Sequence, residues 1–214
     1  MINGAALSWR KLYRLTDNLL LCLFHAPVVG LMKLLRTTLP LGLMPRQISF
    51  EPAIALHPDL AAQARKLLDE FAALGLPHLT DLHIPELGGG TSMHVMTDLE
   101  CRAYANVGYM AAGRRIWPEA FTPFADGGSV TTVTRKAAQG IDADPGKSAR
   151  SVGPVPLAEL WEHHLRCVQE RAPQHGDIAP VTEEELRRHL RDDLRRFVDY
   201  QVARGGAWWQ SNRA

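Results

Sequence analysis

Between residues 80 and 135 the chain breaks into short runs rich in β-branched and aromatic residues, joined by links that leave room only for hairpins. Asp98-Leu99-Glu100 separates two of these runs, and Asp126-Gly127-Gly128 separates another two. A parallel crossover needs a dozen or more residues, so neighbours joined by such short links run antiparallel. Glycine also supplies the positive φ that tight hairpin turns require. The pattern predicts strands over Thr80–Pro85, Ser92–Thr97, Cys101–Met110, Ile116–Phe124 and Ser129–Arg135. Pro118 and Pro123 remove ladder donors, which predicts an edge position or an irregular course for the fourth strand. Ala137–Val155, sprinkled with glycine, proline and small polar residues, predicts a long surface loop.

Helical spacing brackets this region. Leu60, Ala64, Leu67, Leu68, Phe71 and Leu74 form one stripe that starts near Pro58 and stops at Gly75 and Pro77. Leu157, Leu160, Trp161, His164, Leu165 and Val168 form a second, with Pro173 expected to close it. Thr182-Glu183-Glu184-Glu185 opens a third as a capping box, ahead of Leu186, Leu190, Leu194, Phe197 and Val198. Glu183–Arg187, Glu184–Arg188 and Asp192–Arg196 have the i,i+4 spacing that favours ion pairs on a helix. The expected fold is therefore α+β: an antiparallel sheet of about five short strands with helices packed on one face.

The first fifty residues differ from everything that follows. They carry Arg10, Lys11, Arg14, Lys33, Arg36 and Arg46 against the single acid Asp17, although the whole chain has a net charge of only +1. Between the basic clusters runs the apolar stretch Leu19–Met32, interrupted by His25 and Pro27. As a helix it would be about 21 Å long, short of the roughly 30 Å hydrocarbon core. Extension would bury Lys33 and Arg36 at about 2.5–3.5 kcal/mol each. A basic, apolar, acid-poor helix of this kind favours the lipid–water boundary. We therefore divide the chain into a helical segment and linker, residues 1–45, and a globular α+β domain, residues 46–214. The expected membrane contacts are Trp9, Arg10, Lys11, Leu19, Leu20, Leu23, Phe24, Val28, Leu31, Lys33 and Arg36. Apolar members would enter the acyl boundary and basic members would meet phosphates. The same stretch also suits a core helix packed on the domain or a partner-facing helix in a soluble homo-oligomer. A basic end on a balanced body argues against a nucleic-acid groove. Cys22, Cys101 and Cys167 are odd in number and widely spaced, which favours a reducing compartment over a disulfide framework. The expected location is the cytoplasmic face of a membrane.

Signs of chemistry are sparse. Asp144-Pro145-Gly146-Lys147-Ser148 ends like a phosphate-binding loop, but the spacing back to Gly140 does not fit that motif. The chain contains no H-E-x-x-H and no G-x-S-x-G. His164 falls on an apolar stripe, where a core histidine bonded to a carbonyl is expected. One constellation remains. If the first two strands form a hairpin with Pro85 opposite Ser92, His83 faces His94 and Asp81 shares their side. Asp81, His83 and His94 would then form a divalent-metal site of a small hydrolase-like enzyme. No other cofactor is expected. The leading expectation is a membrane-associated binding or scaffolding domain without catalytic machinery.

Overall fold

A computed structural model describes residues 47–52, 58–87, 90–110, 115–134, 146–178 and 182–203. In chain order the elements are α1 (Pro58–Ala73), β1 (His78–Ile84), β2 (Thr91–Thr97), β3 (Tyr104–Met110), β4 (Arg115–Pro123), β5 (Ser129–Val133), β6 (Lys147–Ser151), α2 (Leu157–His175) and α3 (Glu183–Ala203). The six strands form one sheet in the order β1-β2-β3-β4-β5-β6. The first four pairings are antiparallel, as the short links require. The last pairing, β5 with β6, is parallel, so the sheet is mixed rather than purely antiparallel.

β6 lies where the sequence predicts a loop. Its residues, Lys147-Ser148-Ala149-Arg150-Ser151, alternate no apolar side chains, and none of them is fully buried. An edge strand with this composition leaves no hydrophobic period to read. Thirteen residues separate Val133 from Lys147, room enough for a parallel connection. β4, expected at an edge, is internal. Pro118 pairs only with Val107 of β3, because the β5 ladder starts one residue later at Glu119. A nitrogen facing the β5 side at that point forfeits no ladder bond.

Strand alternation sorts the helices onto opposite faces. Met96, Ala105 and Val107 share a face and pack with Ala64, Phe71, Leu157 and Leu160 of α1 and α2. The adjacent residues Val95 and Tyr104 point the other way, with Leu82, and pack with Leu186 and Leu190 of α3. The helices therefore flank the sheet instead of sharing one face. Both sheet surfaces are apolar in the middle, so each needs its own cover. Phe71 and Leu160 are wholly buried, and each contributes about 1.5–3 kcal/mol of transfer free energy.

The helix ends follow local chemistry. Thr182 and Glu185 close the capping box: the Glu185 amide donates to Thr182 Oγ1 at 3.3 Å, and the Thr182 amide donates to Glu185 Oε2 at 2.9 Å. α2 passes through Pro173 and ends at His175, with Gly176 at φ 76° donating its amide to Ala172. One missing donor in the final turn does not stop a helix that α2's buried side already holds to the sheet. Among the described residues no helix is long and apolar enough to cross a membrane. The expected membrane-contact residues, Trp9 to Arg36, lie outside the described residues.

Candidate functional site

β1, β2 and β3 bring a polar cluster together on the α1–α2 face of the sheet. Asp81 stands opposite His94, and His83 stands opposite Ser92, which in turn faces Tyr109. This register differs from the expected one by two residues, because Pro85 belongs to the turn. Ile84 already pairs with Thr91, and the amides of Leu87 and Gly90 close the connection. A two-residue change preserves the face, so Asp81, His83 and His94 still point to one side. It changes their partners. The Asp81 Oδ1 atom accepts from His94 Nδ1 at 2.7 Å and from His78 Nε2 at 2.8 Å. His83 Nδ1 bonds Ser92 Oγ at 2.7 Å instead. Among the described residues no group of three His, Cys, Asp or Glu side chains is placed to hold a metal ion.

The electrostatics of this cluster are set by Asp81. Partial burial works to raise its pKa, but hydrogen bonds from His78 and His94 outweigh that and hold it below the ordinary carboxylate value. An ionised carboxylate only accepts, so both histidines present N–H to it. That fixes the His94 tautomer and leaves its Nε2 as an acceptor when the ring is neutral. The His94 ring lies 5.8 Å from that of Tyr109, whose phenol is pushed up by burial despite its bond with Ser92. A carboxylate orienting an imidazole is the arrangement of a general base. Ser92, however, is fully buried and already engaged by His83, so the neighbouring hydroxyl is not presented as a nucleophile.

Sequence reasoning missed a second site. A cleft of about 660 Å³ opens between the β4–β5 hairpin and α3. Phe124 and Asp126 line one wall; Glu185, His189, Arg195 and Arg196 line the other. Behind it, Asp193 Oδ2 meets Lys147 Nζ at 3.1 Å and Asp193 Oδ1 meets Arg196 Nη2 at 2.7 Å. Burial works to raise the Asp193 pKa, and His189 and Lys147 together bring it below the ordinary value. On the hairpin side, Asp126 accepts from the Gly128 amide at 2.7 Å and from His175 at 2.8 Å, while that imidazole stacks on Phe124. Only the helical spacing of the α3 charges was visible beforehand, and even that paired differently. Arg196 and Arg188 reach back three residues, to Asp193 and Glu185, rather than four. Glu183 and Arg187 pair as expected.

A further histidine, His164, is structural. His164 is fully buried between Thr122 Oγ1, 2.9 Å from Nε2, and Thr132 Oγ1, 3.1 Å from Nδ1. Two hydroxyls take the place of the expected carbonyl, and burial lowers its pKa to about 3. Comparison with protein families, curated proteins and solved structures finds no match for this chain.

Proposed function

We propose that this chain is a membrane-associated binding domain, attached to the cytoplasmic face of a membrane through residues 1–45. The observation that carries this reading is the concentration of six basic side chains and one acid around the apolar stretch Leu19–Met32. Juxtamembrane basic residues contribute about 1 kcal/mol each near an anionic surface. Apolar side chains on the same segment add burial in the acyl boundary. The globular part offers the cleft beside α3 as a place for a polar partner, since its walls carry both signs of charge. Carboxylates on the hairpin and helix would take donors, and Arg195 and Arg196 would take an anionic group.

Vesicle flotation tests the attachment. Full-length protein is expected to float with vesicles containing a third phosphatidylserine and to stay at the bottom with phosphatidylcholine alone. Protein that remains at the bottom in both, or a defined oligomer that becomes a folded monomer once residues 1–45 are removed, would move the segment from lipid to a protein interface.

A further inference from the structure

The outer side of α3 carries a line of charges that the domain itself does not engage. Arg188, Asp192, Arg195 and Asp199 are exposed, and all four border the cleft beside the β4–β5 hairpin. At about 100° per residue they fall within about 60° of one another, on the side of α3 opposite Leu186, Leu190 and Phe197. The neighbouring charges turn elsewhere. Asp193 takes Lys147 and Arg196, and the Arg196 guanidinium lies over Gly127, where an added Cβ would collide with it. Arg187 and Arg191 lie over the Phe50 ring. Asp192 is thereby left without the i,i+4 partner that the sequence offers it. Arg188 reaches only the exposed Glu185, at 3.6 Å. Among the described residues Asp192, Arg195 and Asp199 form no ion pair, although each has an opposite charge three or four positions along the helix.

The order of these charges selects a partner. From Arg188 the spacing runs four, three and four residues, the alternation of a coiled-coil seam. Read backwards, the spacing is unchanged and every sign is reversed. Two copies of α3 laid antiparallel therefore set Arg188 against the partner's Asp199 and Asp192 against the partner's Arg195, each pair formed twice. Their common midpoint falls between Asp193 and Leu194, near the middle of the helix. A parallel arrangement would set each charge against its own copy. A two-fold contact requires a surface complementary to itself, and this stripe meets that requirement at all four positions. An unrelated partner would need only opposite charge, not a pattern that inverts on reversal. Exposed ion pairs contribute little individually, so the pattern fixes direction and register while the contact itself stays weak. The cleft of about 660 Å³, with Phe124 on its far wall, leaves room for the arginine stems to cover apolar surface.

We propose that a second copy of this chain docks antiparallel along the outer side of α3, forming a weak two-fold dimer whose register is set by Arg188–Asp199 and Asp192–Arg195 ion pairs between the copies. The dimer gives the cleft its polar partner. It goes beyond lipid attachment and does not depend on it.

Sedimentation equilibrium of the full chain over a range of concentrations tests the pairing. Wild-type protein is expected to dimerise reversibly with a dissociation constant of roughly 10–100 μM, and more weakly as salt is raised. Asp192→Arg with Asp199→Arg makes one stripe wholly basic, and Arg188→Asp with Arg195→Asp makes another wholly acidic. Each of these variants alone should dimerise more than about tenfold more weakly than wild type. An equimolar mixture of the two should form a one-to-one heterodimer at least as tight as the wild-type dimer. Circular dichroism verifies folding. If a charge-reversed variant misfolds, Asp192→Asn and Arg195→Gln remove charge alone, and each should weaken the dimer roughly threefold. Wild-type protein that stays monomeric overturns the pairing. So does a dimer that these substitutions leave equally tight, and so does a mixture without heterodimer. A dimer without flotation would remove the attachment reading alone; flotation by a monomer would remove the pairing alone.

Discussion

A buried histidine and a crowded glycine carry the sharpest consequences of single side chains. His164 stays neutral in the fold because burial brings its pKa from 6.5 to about 3. The unfolded chain therefore binds a proton that the native state refuses between these values, and stability rises with pH across that window. The expected slope is about 1.4 kcal/mol per pH unit as pH falls below about 6.5. Asp81 and Asp193 add to the loss only lower down, since their pKa values are held below the ordinary 3.8 and their stabilisation fades as they protonate. Urea midpoints taken from pH 7 to pH 4 measure the histidine slope. Replacing the whole polar triad (His164→Leu, Thr122→Val, Thr132→Val) should flatten it, whereas His164→Leu alone should cost about 2–4 kcal/mol by stranding two hydroxyls. A slope that survives the triple replacement would assign the pH dependence elsewhere. At Gly108 a methyl would fall 2.6 Å from the Trp117 ring, which cannot swing away as a flexible chain end can. Gly108→Ala should lower stability by about 1–3 kcal/mol and alter the near-ultraviolet tryptophan signal. His164 was legible in the sequence because it interrupts an apolar stripe. Its threonine partners were not, because they come from β4 and β5, 42 and 32 residues away.

Elements were readable where their period is hydrophobic and opaque where it is not. The stripes of α1, α2 and α3 write one buried face into helical spacing, and the β-branched and aromatic runs of β1 to β5 mark strands that the helices cover on both faces. β6 writes nothing of that kind, because Lys147 earns its place through a residue 46 positions away, Asp193. The same holds for the hairpin register. The sequence places Asp81, His83 and His94 on a common face, but only the closure of the turn at Ile84 decides that Asp81, and not His83, meets His94. At this scale α3 is the element to perturb. Thr182→Ala removes half of its capping box and should cost about 1 kcal/mol. Asp193→Ala should cost more, about 1–3 kcal/mol, because Lys147 is left largely buried without its carboxylate. The two losses should add, since the cap and Asp193 stand nearly three helical turns apart, and thermal midpoints of the single and double variants measure this. A deficit in additivity would show that α3 detaches from the sheet as a unit once either end is loosened.

For the whole molecule, the opening segment decides how the chain meets lipid. Its basic and apolar residues suit an anionic lipid surface. Ionic strength tests the attachment. Attraction of exposed basic residues to a lipid surface acts over a Debye length of about 8 Å at physiological salt and about 3 Å at 1 M. Raising salt from 0.1 to 0.5 M should therefore release the protein from phosphatidylserine vesicles. Removing residues 1–46 should abolish flotation and leave the urea midpoint unchanged, because the clusters beneath α1, α2 and α3 are built from later residues. If truncation instead lowered the midpoint, the segment would pack on the domain as well as meet lipid. If it abolished folding altogether, the opening residues would belong to the core of the domain, and lipid would have no free segment to bind.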